Sequence, residues 1–578
     1  MQFIKHILSS FIALIIFSIV VLIGVVMMIA VASMDEPVSI KPNSILHIKL
    51  NKPITELEQD NPLDGLPFLS TRAGSIGTLQ LLEAIKYAKS DENIKGIYLE
   101  AETIMSGYAT IEEIRGALLD FMEDGKFVIS YANNYSEGAY FLASAGSEVY
   151  LNPEGYVEFN GLSANMMFFK GLFDKLDIEA RVFRVGEYKS AVEPYIRESM
   201  SEESKEQISE MIDLLNARII SGVALARELP ENKVKNISDS MLIRTPGDAE
   251  RLGFVDSLLY RDELNSLLAR RSGNEEKPVF VPYEKYKQSI TKEEESEDII
   301  AVIVGQGEII MGTGNEEISA IKLSAEIRAA SEDESVKAIV LRINSPGGQL
   351  MATDIIWREV TLATLKKPVI ASMSDYAASG GYYICMAADT ILVQPNTITG
   401  SIGIYGIMFN MGEFMSNKLG IKMEEVNTGE FSGIMNSTRQ LSEAEANIIQ
   451  MQVNKGYETF TSKAATGRGM SIEALKAVAS GRVWTGSQAL KNGLADLEGG
   501  IWDAISVAAE KSGVEKYTVK YYPEQESFLE QLAGSADQDM EEKMWNELER
   551  TYKGIRHVQY MLKNQGVQAR MLEGVVIE

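Results

Sequence analysis

Apolar and polar positions fall into three regimes along the 578-residue chain. From Ile7 to Ala32 there are 26 residues without a charge, enough to cross the roughly 30 Å hydrocarbon layer of a bilayer. Lys5 precedes this run and Asp35 and Glu36 follow it, a bias that places the N-terminus in the cytoplasm and the bulk of the chain outside. Ala30-Val31-Ala32 resembles a signal-peptidase site, but the run exceeds the roughly 7 to 15 residues of a cleavable signal core, so the pattern predicts an uncleaved single-pass anchor. Past a polar spacer, beginning with SILHIKL (44–50), strand-like runs alternate with helix-like ones. That alternation predicts an α/β fold with much parallel sheet. After about residue 515 the chain turns acidic and then amphipathic through MWNELERTYKGIRHVQYML, a helix-like pattern assigned to packing.

The middle regime is written twice. DENIKGIYLEA (91–101) matches DESVKAIVLRI (333–343), and EGAYFLASAGSEVYLNP (137–153) matches SGGYYICMAADTILVQP (379–395), both at an offset of 242. RTPGDAERLGFVD (244–256) matches WTGSQALKNGLAD (484–496) at 240. A period this long means two homologous domains, since solenoid repeats run roughly 20 to 50 residues. The division expected is an anchor over 1–36, a first repeat over 44–271, a charge-rich linker over 272–297, a second repeat over 298–515 and a C-terminal extension over 516–578.

Composition removes some classes of function. The net charge of −27 and pI near 4.8 leave no basic stripe for phosphates, so nucleic acid is excluded as a partner. The single cysteine, Cys385, rules out an internal disulfide framework and any Cys-rich metal site. No P-loop pattern is present, and nothing in the sequence calls for a cofactor or metal.

The candidate chemistry lies where the two copies differ. In SDYAASGGYYICMAADTILV (374–393) a strand-like run, Pro368 to Met373, leads to a small-residue turn, and a helix-like run begins at Ser379. A hydroxyl at a helix N-terminus sits beside unpaired N–H groups, and Gly380 and Gly381 let a carbonyl approach without meeting a Cβ. Ser379 is the candidate nucleophile; as an isolated Ser-Gly-Gly it would read as a helix cap. Its counterpart in the first copy is Glu137. Conversely RVGEYKSAVEPY (184–195) matches within EVNTGEFSGIMN (425–436), with Lys189 opposite Ser432. Each copy keeps one piece, and Lys189 reaching Ser379 across the seam would complete one site per chain. His6, His47 and His557 occupy no recognisable turn of the alternating core, which disfavours a Ser-His-Asp triad. A lysine base must be neutral, so its pKa has to fall from roughly 10.4 by burial or cationic neighbours. In LRINSPGGQL (341–350) a strand runs into Ser345-Pro346-Gly347-Gly348 ahead of a helix with Met351, Ile355 and Ile356 as apolar positions. The backbone of Gly347 and Gly348, with Gly380, forms a candidate oxyanion hole, and the first copy has lost this turn to AETIMSGY (101–108). In TITGSIGIYG (397–406), Ser401 lies 22 positions beyond Ser379 and is a candidate to hold the lysine amine.

AASGGYY, TGSIG, NSPGG and GEYKSAVEP together resemble the long, duplicated form of the signal peptide peptidase A family, from the anchor to about residue 530. The resemblance implies a Clp-protease or crotonase-like fold in each half and a homotetrameric bowl in the bacterial inner membrane, its bulk periplasmic. It also implies ATP-independent cleavage of spent signal peptides and other short apolar peptides by a Ser-Lys dyad. Carried over, Ser379 is the nucleophile, Lys189 the general base, Ser401 its orienting partner, and the amides of Gly347, Gly348 and Gly380 the oxyanion donors. Two other readings stay open at this point. One is acyl-CoA hydratase or isomerase chemistry on a crotonase-like fold, against which the outward topology speaks, and the other is a non-catalytic membrane scaffold that binds peptides without cutting them.

Overall fold

The computed structural model describes residues 40–58, 74–290, 296–312, 317–524, 566–571 and 575–577, together with His6, Ala13, Leu14, Ile16 and Phe17. The expected anchor over 7–32 and the amphipathic stretch over 544–562 therefore lie outside the described residues, save for isolated positions. Among the described residues no helix is long and apolar enough to cross a membrane.

The first repeat contributes β1 (Ser44–Lys49), β2 (Ile94–Glu100), β3 (Phe127–Tyr135), β4 (Glu148–Val157), β5 (Glu179–Val185), β6 (Ser257–Leu258) and β7 (Val279–Pro282). All but β5 form one sheet in the order β7-β1-β2-β3-β4-β6, and every pairing in it is parallel. Helices α1 (Tyr108–Met122), α2 (Glu137–Ala143) and α3 (Glu202–Ala226) belong to the same repeat.

The second repeat follows the same plan with β8 (Ile299–Gln306), β9 (Val336–Ser345), β10 (Gly347–Gln349), β11 (Val369–Ala378), β12 (Thr390–Val393), β13 (Ile398–Gly400), β14 (Ile404–Asn410), β15 (Val483–Thr485), β16 (Leu497–Glu498) and β17 (Thr518–Tyr522). Its main sheet runs β15-β13-β11-β9-β8-β17, with β12 and β16 branching from β11, and only the β13 and β15 pair is antiparallel. Helices α4 (Leu350–Thr364), α5 (Gly380–Cys385) and α6 (Ile501–Ser512) complete the parts needed here.

Parallel sheets are covered on both faces, so their strands read as nearly continuous apolar runs, and β9 is buried along almost its whole length. The two faces of β8 serve different cores. Ile299, Ala301 and Ile303 pack into the second repeat's own core, while Ile300, Val302 and Val304 join the core of the first repeat. Ala338 and Val340 of β9 take the same side, as the two-residue strand period requires. One sheet face of the second repeat is therefore the seam, where α6 also packs, through Ile501, Ala504, Ile505 and Ala508.

Three expectations change in detail. The stretch 272–297, expected as a linker, supplies β7, which extends the first sheet beside β1, and a following helix that buries Tyr283 and Tyr286. Its counterpart is β17, just past the expected end of the second repeat, which pairs with β8 in the same sense; the flanking charges hid both edge strands. Secondly, β11 continues to Ala378 because Tyr376, Ala377 and Ala378 pair with β13. Thirdly, α4 buries Ile356, Val360 and Ala363 but leaves Met351 and Ile355 exposed, because its inward face is set one position further along.

A third sheet ties the repeats together. It runs from two short strands, Ile318–Ser319 and Ile309–Ile310, through β10 and β18 (Gly566–Arg570) to β14 and β5. The first-repeat strand β5 pairs antiparallel with the second-repeat strand β14 from Ile404 opposite Val185 to Asn410 opposite Glu179.

Candidate active site at the seam

Ser379 stands between β11 and α5 with φ of 53°, a left-handed conformation that costs a non-glycine residue about 1–3 kcal/mol and concentrates at functional sites. Its backbone N–H donates to the Gly400 carbonyl at 2.8 Å. Its hydroxyl makes no cap hydrogen bond to the helix that follows, which removes capping as the reason for a serine here. The side chain is fully buried.

Lys189 lies in the turn after β5, and the β5 and β14 pairing carries that turn into the second repeat. Tyr188 N–H donates to the Ser480 carbonyl at 3.1 Å, and Gln207 of α3 donates to the Ser190 hydroxyl at 2.8 Å. A Cβ on Gly481 would fall 2.7 Å from the Lys189 backbone nitrogen, so only glycine lets the turn dock so closely. The lysine is 1 % exposed. Its Nζ lies 2.8 Å from Ser379 Oγ, 2.9 Å from the Ser401 carbonyl oxygen and 3.0 Å from Ser401 Oγ.

Burial pushes the Lys189 amine well below its ordinary pKa of 10.5, because a low-dielectric surround disfavours the ammonium. Among the described residues no carboxylate pairs with it to restore the charge. A neutral amine has two N–H donors and one lone pair. In that form, with both Ser401 oxygens accepting from it, the amine would turn its lone pair to the Ser379 hydroxyl, and as an ammonium it would donate to all three oxygens.

The three glycines also converge. Gly347 has φ of 109°, open to glycine alone without strain, and its position faces Gly380 so closely that a Cβ on Gly347 would lie 2.8 Å from the Gly380 nitrogen. Gly347 N–H is held by Ser345 Oγ at 3.2 Å. Gly348 packs its α-carbon against Ile309 and leaves no room for a side chain. All six sequence candidates, Ser379, Lys189, Ser401, Gly347, Gly348 and Gly380, thus lie around one seam.

The equivalent place in the first repeat is built differently. Glu137 heads α2, is 6 % exposed, and accepts the N–H groups of Asn160 and Gly161 at 3.2 and 3.0 Å. Burial raises its pKa to about 7. His47 is engaged elsewhere, with Glu100 at 3.1 Å and stacked on Tyr98.

Two groups of residues escaped the sequence. Arg342 of β9 is completely buried and meets Glu56 at 2.8 Å and Glu113 of α1 at 2.6 Å, joining the two repeats. The strand β18 pairs antiparallel beside Gly347 and Gly348 in the same sheet. Arg342 sits in a run that reads as strand core, and the short GVQAR segment carries no alternation long enough to stand out.

The model for peptidase family S49 matches residues 120–275 and again 362–515, and the Clp protease model matches 291–398. The serine protease SPPA of the Arabidopsis thaliana chloroplast is 33 % identical over 513 residues, covering 86 % of this chain and 74 % of the relative. Protease 4 of Salmonella typhi is 34 % identical over 480 residues, 81 % of this chain and 77 % of its own. Protease 4 of Haemophilus influenzae is 34 % identical over 468 residues, 77 % and 76 % respectively. The chain belongs to peptidase family S49. It is a serine peptidase of the duplicated SppA type, and the two S49 matches fall on the two repeats seen in the sequence and the fold. The Clp protease match covers β8 through β11 and Ser379, the half of this S49 peptidase that carries the hydroxyl and the glycine turn.

Proposed function

We propose that the chain is a membrane-anchored serine endopeptidase that degrades cleaved signal peptides and other short apolar peptides through a Ser379–Lys189 dyad. The observation that carries this reading is the set of three contacts at Lys189 Nζ, which in the neutral amine leaves a single lone pair aimed at a single hydroxyl. In the first half-reaction Ser379 Oγ attacks the scissile carbonyl as its proton passes to Lys189. The oxyanion is held by the backbone amides of the glycine turn, those of Gly348 and Gly380 first, since that of Gly347 already donates to Ser345 Oγ. Lys189 then returns the proton to the leaving amine, and an acyl-enzyme remains on Ser379. In the second, Lys189 takes a proton from water, the resulting hydroxide attacks the ester, and the proton returns to Ser379 as the product leaves as a carboxylic acid, which then ionises in solvent.

The 26-residue uncharged run near the N-terminus supports a single-pass anchor with the bulk of the chain on the outer side of a bacterial inner membrane. There the site would meet peptides released from the bilayer. Assembly as a homotetramer with sites facing a common interior fits the same reading and would admit short or unfolded peptides only.

The test is hydrolysis of a signal-peptide-like substrate by purified Ser379→Ala and Lys189→Ala proteins. Each is expected to lose turnover with folding and assembly intact, and normal turnover by either refutes the dyad.

A further inference from the structure

The turn that closes over Lys189 comes from the second repeat. Residues 479–482 lead into β15, with Ser480 at φ of 55° and Gly481 at 78°, the serine strained at that angle. The bend is pinned from both ends. Gly481 N–H donates to the Ile402 carbonyl at 2.9 Å, and the Arg482 carbonyl accepts the Ser401 N–H at 2.7 Å. Ser401 is the residue whose two oxygens meet the lysine amine. The backbone of Arg482 therefore fixes one wall of the contact.

Its side chain fixes the other. The guanidinium carbon lies 4.8 Å from the ring centre of Tyr188, the neighbour of Lys189, and 4.7 Å from that of Trp484. A planar cation over aromatic faces is attracted to both. Its nitrogens reach α3 of the first repeat, meeting Glu210 at 2.5 Å and Glu206 at 3.3 Å. Gln207 of the same helix donates to the Tyr188 carbonyl at 3.2 Å and to the Ser190 hydroxyl at 2.8 Å. Helix, lysine turn and arginine thus form one closed set.

The duplication marks the same residue. At the offset of 240, Gly481, Arg482 and Trp484 face Met241, Leu242 and Arg244 in the first copy. That copy keeps a left-handed bend, with Met241 at φ of 45°, and packs Leu242 against its own core. It lacks both the glycine that admits Lys189 and the arginine that grips Tyr188, the same asymmetry that sets Ser379 against Glu137.

We propose that Arg482 is a positioning residue for the general base, a clamp that holds the lysine turn of the first repeat against Ser401 of the second. The proposal rests on the reading of Lys189 as base. With the clamp released, the turn moves off Ser401, water reaches the amine and the ammonium is favoured again. The amine itself meets only uncharged oxygens. The charged groups on the elements packed around it are Arg184 and Glu193, which flank its own turn, with Arg482, Glu206 and Glu210 opposite.

The experiment measures kcat, KM and the pH profile of kcat/KM for full-length Arg482→Met, Arg482→Lys and Glu210→Gln on a signal-peptide-like substrate. Misplacing a catalytic group by about 1 Å costs about 10²-fold, so Arg482→Met is expected to lower kcat by about that factor and far more than it changes KM. Its acid limb moves to higher pH, as the amine returns toward its ordinary 10.5. Arg482→Lys keeps a cation for the glutamates without the planar fork and recovers part of the rate. Glu210 is half-exposed, so Glu210→Gln loosens the same link without endangering the fold, and it lowers kcat in the same direction by less. An Arg482→Met protein with a lowered thermal midpoint but wild-type kcat and acid limb makes the arginine structural and overturns the proposal. If that variant does not fold, unchanged kcat and acid limb in Glu210→Gln overturn it equally. Lys189→Ala, run alongside, separates the two readings. Turnover that survives in it removes the base and the clamp together, whereas turnover lost there and untouched in the arginine variants removes the clamp alone.

Discussion

Lys189 Nζ and Ser379 Oγ lie 2.8 Å apart although 190 positions separate them in sequence. They come from different copies of a duplicated domain, and the contact depends on an antiparallel pairing that no single copy contains, β5 against β14. Each copy is incomplete where the other is furnished. Glu137 stands in the place of the serine, and the turn that holds Ser345 to Gly348 has no equivalent around 101–108.

Lys189→Arg separates hydrogen-bond donation from basicity at this contact. Arginine keeps the N–H donors and much of the reach but stays protonated, so it cannot accept a proton and brings an unpaired charge into a buried site. Peptide hydrolysis is expected to fall by about 10²–10⁴-fold, the usual worth of a positioned general base, with some loss of stability from the buried charge, so rates are compared where circular dichroism shows the protein folded. Initial rates on a peptide substrate decide it, and an arginine protein with near-normal rates would take the amine out of the chemistry.

The same amine makes activity and stability depend on pH in a defined sense. Burial holds the native pKa well below 10.5, so the acid limb of kcat/KM is displaced to lower pH than a surface lysine would give. In the unfolded chain the amine titrates near 10.5, so unfolding takes up a proton at any pH between the native value and that figure. Stability therefore rises with pH across that window, by up to about 1.4 kcal/mol per unit, and this contribution is flat on either side of it. The difference in denaturation free energy between the wild-type protein and Lys189→Met, followed through mildly alkaline pH, is expected to show this slope. Parallel curves would mean that the native amine is charged.

Gly347→Ala tests the glycine turn. At φ of 109° an alanine costs about 1–2 kcal/mol of stability, and its Cβ would also fall 2.2 Å from the Ala569 carbonyl oxygen, so β18 must shift to admit it. Its methyl group would also lie 2.8 Å from the Gly380 nitrogen, blocking the amide from an incoming carbonyl oxygen. A loss of about 10²–10³ in kcat is expected, the amount removed with one oxyanion donor, measured at a temperature where circular dichroism shows the variant folded. Unchanged kcat would place the oxyanion elsewhere.

Much of this arrangement was legible in the sequence because the duplication made differences between copies visible. Ser379 against Glu137 and the glycine turn against 101–108 stood out by comparison, and apolar runs such as VKAIVLRI announced buried parallel strands. The helix over 350–364 was readable in existence and not in facing, since Met351 and Ile355 are apolar yet exposed; a face is chosen by what packs on it. The edge strands β7 and β17 were concealed by charged neighbours. Strand β18 was beyond reach for a physical reason. Its place is fixed by main-chain pairing to β10 and β14, an interaction that leaves almost no signature in side-chain pattern.

Arg342 carries the last prediction, because it joins the two halves on which the contact depends. It lies on the seam face of β9, in line with Ala338 and Val340, and its guanidinium donates to Glu56 and Glu113 of the first repeat and to Ser372 of the second at 3.0 Å. The two carboxylates, with the coulombic support they give, keep the buried guanidinium charged. Removing one member of such a cluster strands the others without compensation, which costs about 3–5 kcal/mol, while replacing the whole cluster by neutral groups costs far less. Arg342→Met is therefore expected to lose about 3–5 kcal/mol in denaturant unfolding, and Arg342→Met with Glu56→Gln and Glu113→Gln to recover most of it. Peptide hydrolysis should fall in the single variant even where the protein is folded, because a looser seam withdraws Lys189 from Ser379, and should return in part in the triple variant. A single variant as stable and active as wild type would show that the apolar faces of β8, β9 and α6 hold the repeats in register unaided.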